Sequence, residues 1–170
     1  MRQFVRTIHP RSVLSFAPDN EPLALTPLNV LIGPNGSGKS NLIEIFELLK
    51  AAPTDLAEAI RDGGGIGEWL WKGEGHNCVT VSVDLQIRRG LRYRLGFGAS
   101  DQGLKVLKEA VEEAPFYGTE KASFYYLFAG ASPAQLSAMS RAKLSGEDLA
   151  ASTRNNPYCH NGRIRTYIPN

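Results

Sequence analysis

The octapeptide Gly33-Pro34-Asn35-Gly36-Ser37-Gly38-Lys39-Ser40 matches G-x-x-x-x-G-K-[ST] at every fixed position, and no other stretch narrows the possible folds of this chain as much. Glycine admits positive φ, so a loop built on it can turn several backbone N–H groups toward one point. A helix starting directly behind the loop adds its own free N–H groups and the positive end of its dipole. The product is a concave site for an anion. Lysine in the seventh position supplies a mobile cation for β- and γ-phosphates, and serine in the eighth supplies a hydroxyl for Mg²⁺. The flanks agree with this reading. Leu28-Asn29-Val30-Leu31-Ile32 is an apolar run that predicts a buried strand. After the loop, Leu42, Ile43, Ile45, Phe46, Leu48 and Leu49 form a broad apolar helical face opposite Glu44 and Glu47. A chance match to the motif in a chain of this length is on the order of one in a hundred, and the strand-loop-helix context reduces it further. The motif therefore predicts that ATP and Mg²⁺ are bound by Gly33, Pro34, Asn35, Gly36, Ser37, Gly38, Lys39, Ser40 and Asn41. Lys39 is the catalytic cation and Ser40 the magnesium ligand.

Bulk properties leave the rest of the argument to local features. A chain of 170 residues can bury about two-thirds of the surface its unfolded form exposes, enough for a real core. It is 42% hydrophobic and 21% charged, ordinary globular usage. The net charge of +2 is too small to indicate a polyanionic partner by itself. Met1 to Ser15 intersperses Arg2, Arg6 and Arg11 among apolar residues, unlike a signal peptide, and no window has the ~18 apolar residues of a membrane span. A cytoplasmic protein without a membrane partner is expected. Cys78 and Cys159 have no CxxC spacing, so reduced thiols are expected; one Cys159-His160 pair cannot fill a four-ligand metal site.

Elsewhere the pattern is mainly β. Phe4 to Phe16 fits one or two short strands interrupted by Pro10. Thr54 is placed to cap a second helix over Leu56, Ala59 and Ile60, which stops at Gly63-Gly64-Gly65. Trp69 and Trp71 follow, best read as buried anchors for a glycine-rich excursion. Val79, Val81, Val83, Leu85 and Ile87 alternate with Thr80, Ser82, Asp84 and Gln86, and Leu91, Tyr93, Leu95 and Phe97 alternate after Arg88-Arg89-Gly90, which predicts an antiparallel hairpin. Leu104 to Ala114 leans to strand, Ser123 to Phe128 reads as strand, and Pro133 to Met139 and Ser145 to Ser152 read as helical pieces.

The variable positions of the loop carry a resemblance. Gly-Pro-Asn-Gly-Ser-Gly-Lys-Ser continuing into Asn41-Leu42-Ile43-Glu44 is similar to the P-loop of ABC-type ATPases, especially the RecF, SMC, Rad50 and OLD-like branch. The lead-in Pro27 to Gly36 resembles the AAA-type ATPases grouped with that branch. The likeness covers roughly Phe16 to Lys50. It implies an α/β P-loop NTPase fold, mixed α+β, in which an ABC-ATPase-like N-terminal lobe carries an antiparallel β-subdomain. On that reading residues 1–170 are the N-terminal lobe, with P-loop and first helix at 28–50 and a β-meander at about 77–128. It also implies head-to-head dimers that sandwich nucleotide, and adenine contacts from the early strands at Arg11, Ser12 and Phe16.

The chain departs from that family at its remaining motifs. Val79 to Asp84 ends in an acid, but Leu85 stands where a Walker B glutamate belongs. Leu144-Ser145-Gly146-Glu147-Asp148 is a partial signature that suits a helix cap better, and Gln135 suits a helix surface better than a glutamine loop. The expectation is a lobe cut short, which binds ATP but does not turn it over alone, from an ATPase serving DNA repair, maintenance or defence. Two alternatives belong to other classes: a small-molecule P-loop kinase with Arg88, Arg89, Arg92 and Arg94 as phosphate clamps, and a nucleotide-binding regulator without turnover. The same arginines, with Lys72 and Arg61, are the candidates for DNA phosphate.

Overall fold

The computed structural model describes residues 4–74, 77–86, 90–113, 124–130 and 132–136, the last five by their backbone alone. Val79, Val81 and Val83 alternate with half-buried polar residues, so Cys78–Leu85 becomes a strand that buries one face only. It is β3 in chain order, after β1 (Val5–Arg11) and β2 (Leu23–Ala24). β4 (Leu91–Ser100), β5 (Gly103–Glu113), β6 (Phe124–Ala129) and β7 (Ser132–Leu136) follow. All seven form one sheet, in the order β2-β1-β3-β4-β5-β6-β7. Every pairing is antiparallel.

One face of this sheet is covered by α1 (Lys39–Ala51), whose Leu42, Ile45 and Leu48 are buried three and four residues apart. They join Ile8, Val13, Val79, Val81, Val83, Leu95 and Phe97 in a single core cluster. α2 (Leu56–Asp62) contributes Ile60, and α3 (Ile66–Trp69) contributes Trp69. Trp69 thus anchors the glycine-rich excursion as its bulk predicts, although its buried indole nitrogen has no hydrogen-bond partner.

The polar side chains of the strands pair with one another. Arg92 binds Asp84 through two bonds of 2.6 and 2.9 Å across β3 and β4, and Arg94 meets Glu112 at 2.6 Å across β4 and β5. Tyr93 and Tyr126 both donate to the Glu109 carboxylate, at 2.8 and 3.1 Å. Burial and that carboxylate push the Tyr93 phenol upward.

Several expectations are corrected. Leu28–Ile32 is not a buried strand: it has no ladder partner, and Leu28, Val30 and Ile32 are 80%, 75% and 91% exposed. A continuous apolar run becomes a buried strand when neighbours cover both faces, and among the described residues no strand lies beside it. The segment before it closes on itself, with Thr26 N–H donating to Asn29 Oδ1 and Asn29 Nδ2 to the Thr26 carbonyl. Ile43 lies on the solvent side of α1, 59% exposed. Pro10 does not interrupt β1, because β2 pairs only with Thr7 and Ile8 and leaves that edge of β1 free at Pro10. Asp55, not Thr54, caps α2, accepting from Glu58 N–H at 2.8 Å, while the Thr54 hydroxyl bonds back to the Ala51 carbonyl. The helix expected at Pro133 to Met139 is β7 over Ser132–Leu136. Gly130 at φ 44° turns the chain so that Ser132 pairs with Ala129, and pairing overrides the helix propensity of Ala and Gln. Gln135 accordingly sits on a strand, opposite Leu127. Cys78 is disulfide-bonded rather than a free thiol; two cysteines without metal spacing are compatible with either state. Arg88, Arg89, Leu144 to Asp148, Ser145 to Ser152, Cys159 and His160 lie outside the described residues.

Candidate functional site

The site is built where the exposed segment 28–32 runs into α1. Gly36 and Gly38 adopt φ of 82° and 87°, a region that side chains avoid. At Gly36 the demand is purely conformational, since an added Cβ would meet nothing within 4 Å. At Gly38 space is also short, because a Cβ would lie 2.6 Å from Ser15 Oγ. Ser37 N–H closes the loop onto the Pro34 carbonyl at 3.3 Å.

Gly38 is the N-cap of α1, and no side chain caps it; the first turn holds no acidic residue. The first N–H groups of a helix have no partners within it, so here the uncapped end directs free donors and positive potential at the loop. Lys39 adds the formal charge. Its ammonium is drawn back across the loop, donating to the carbonyls of Gly33 (2.8 Å) and Pro34 (2.6 Å) and to Ser37 Oγ (3.3 Å). Those acceptors are neutral. Phosphate oxygens would form stronger, charge-assisted bonds with the same three donors. Ser40 is exposed in the first turn and Asn41 half-buried beside it. Backbone amides, one mobile cation and a neighbouring hydroxyl form a donor set with no opposing carboxylate, which fits a polyphosphate with its magnesium ion.

The structure spreads the expected adenine contacts over different surroundings. Phe16 packs against the core cluster, Ser12 is buried, and Arg11 is exposed with its Nε bonded to the Pro18 carbonyl at 2.6 Å. The residue of this turn that reaches the loop is Ser15, for which no sequence motif gave a signal. Asp84 is not a metal-site acid: burial pushes its carboxyl up, but the bidentate Arg92 outweighs this and holds it below the usual carboxylate range. Arg92 and Arg94 are both paired with carboxylates, so neither offers an uncompensated charge to phosphate. No cluster of three or more metal-ligating side chains occurs among the described residues.

The glycine loop and the helix that starts behind it together have the form of a P-loop. Residues 28–138, about two-thirds of the chain, match the model of a family described as an AAA domain of the AbiEii-like toxin of type IV toxin–antitoxin systems, and the chain belongs to that AAA-domain family. No curated protein and no solved structure matches it. Among the described residues no helix is long and apolar enough to cross a membrane.

Proposed function

We propose that the chain binds the triphosphate of ATP, with Mg²⁺, in the loop Gly33–Asn41, and that it serves as the nucleotide-binding lobe of an ABC-type ATPase of the RecF, SMC, Rad50 and OLD-like branch. The observation that carries this reading is the uncapped N-terminus of α1 behind a loop with two left-handed glycines, spanned by the ammonium of Lys39. Lys39 exchanges its carbonyl partners for β- and γ-phosphate oxygens and offsets their charge. Ser40 gives its hydroxyl to the magnesium ion, and the loop amides fix the phosphates in line. Magnesium, when bound, neutralises charge that develops on the transferring phosphoryl group.

Turnover needs more than this. Water must be oriented for attack, and the described acidic groups of the sheet are engaged otherwise, Asp84 by Arg92 and Glu112 by Arg94. We infer that the chain alone binds ATP and releases phosphate near the background rate, and that head-to-head engagement with a second nucleotide-bound lobe completes the site. A DNA-linked or defence role is the process this reading favours, the latter in keeping with the toxin-type family description.

Calorimetric titration with Mg-ATP tests the assignment. Wild-type chain binds, Lys39→Ala loses affinity by about a hundredfold, and Ser40→Ala loses mainly the dependence on magnesium. Equal affinity in wild type and a folded Lys39→Ala variant would exclude the P-loop as the nucleotide site.

A further inference from the structure

The most constrained backbone outside the P-loop is the turn at residues 12–16. Ser12 and Leu14 have φ of 55° and 52°, the only positive values at non-glycine positions among the described residues. Such conformations persist only where surrounding contacts enforce them, and they concentrate at functional sites. Here the enforcement is visible. Val13 and Phe16 exchange backbone bonds of 3.1 and 2.8 Å, Leu14 N–H donates to the Trp69 carbonyl at 2.9 Å, and Trp71 N–H donates to the Ser12 carbonyl at 3.1 Å. Val13 between them is fully buried. The turn thereby drives Val13 into the core and lifts Ser15 out of it.

Ser15 stands at the phosphate cradle. It is exposed, and its Oγ lies so close to Gly38 that a Cβ there would be 2.6 Å away. Gly38 is where α1 begins, its carbonyl accepting from Leu42 N–H at 3.1 Å. The Ser15 hydroxyl has no hydrogen-bond partner among the described residues, whereas those of Thr26, Thr54 and Ser100 each donate to a nearby carbonyl. A donor fixed by a strained turn, and left without a protein acceptor beside an uncapped helix end, is suited to an incoming oxyanion.

We propose that Ser15 is a further phosphate-binding residue, whose hydroxyl donates to a phosphate oxygen of the nucleotide held by the P-loop. This rests on the nucleotide-binding reading above. The contact is to phosphate and not to base or sugar, because the cradle and not the base-binding surface is what Ser15 abuts.

Equilibrium binding of Mg-ATP and of magnesium tripolyphosphate, which has no base or sugar, separates the outcomes. The full chain is compared as wild type, Ser15→Ala, Ser15→Asp and Lys39→Ala, with circular dichroism as the control for folding. Ser15→Ala should weaken both ligands by the same factor, about tenfold for one lost bond to a charged acceptor. Ser15→Asp should weaken both further, because a carboxylate repels phosphate. A residue that merely braces the turn would instead lower the urea midpoint of the nucleotide-free chain, which loss of an exposed hydroxyl without a protein partner leaves unchanged. Unchanged affinity in Ser15→Ala, or a loss for ATP with none for tripolyphosphate, overturns the proposal. If Lys39→Ala loses binding while Ser15→Ala keeps it, only the role of Ser15 falls. If Lys39→Ala also binds like wild type, the P-loop reading falls with it.

Discussion

The segment 28–41 and the meander β3 to β5 differ in what they ask of the chain. The first carries the strongest motif and is largely exposed, with Val30 and Ile32 in water and two glycines in left-handed conformations. The second has no motif, yet it supplies Val79, Val81, Leu95 and Phe97, each no more than 1% exposed, and the ion pairs that tie β3, β4 and β5 together. Binding chemistry and fold stability thus reside in different stretches. Substitutions should separate them.

The largest effect is expected from Phe97→Ala. Emptying a fully buried aromatic site costs about 3–5 kcal/mol, read as a lower midpoint in urea or guanidinium. Lys39→Ala should do the reverse: the urea midpoint stays put while Mg-ATP affinity falls by about a hundredfold, or about 2.7 kcal/mol. A Lys39→Ala chain that unfolds early would break the separation.

Asp84→Asn comes next, at about 1–2 kcal/mol, since it leaves the half-buried Arg92 without its carboxylate. Its pH dependence has a definite sign. The folded carboxyl titrates below its ordinary value, so its stabilisation is complete above that value and is lost as pH falls through the depressed one. Acid titration of wild type should therefore show a loss of stability that Asp84→Asn lacks. At Lys108 the sign with pH is the same, but the charged form is the one the fold disfavours. Burial, with Arg94 nearby, lowers its amine to about 8. Between that value and the ordinary lysine value the unfolded chain binds more protons than the fold, so stability rises with pH there. Lys108→Met should stabilise at pH 7 by about 1 kcal/mol, with the gain shrinking toward pH 10. Val30→Ser should change stability least, by less than about 0.5 kcal/mol. A larger loss would mean that 28–32 is packed and that the contrast is overdrawn.

The two regions also differ in how legible they are. The period-two alternation of Val79, Val81 and Val83 is a local signal with a local cause, and β3 and β4 pair as it indicates, Val81 opposite Leu95. Gly33 to Ser40 is equally plain, because its chemistry lies in eight consecutive residues. Leu28–Ile32 misleads because an apolar run states only what would be covered, not what covers it. β7 misleads because alanine and glutamine favour helix until a glycine turn offers β6 as a partner. Ser15 was invisible: its proximity to Gly38 depends on two positive-φ residues of types that rarely adopt such angles, and spacing cannot foretell them.

The central claim is that nucleotide phosphate sits on the amides of the P-loop. Amide hydrogen exchange on the full chain, with and without saturating Mg-ATP, tests it most directly. The account predicts that β3, β4 and β5 exchange slowly in both states, and that Gly36 to Asn41 pass from fast to protected exchange only with nucleotide. Mg-ATP bound at saturation, with the amides of Gly36 to Asn41 still exchanging at their free rates, would contradict it.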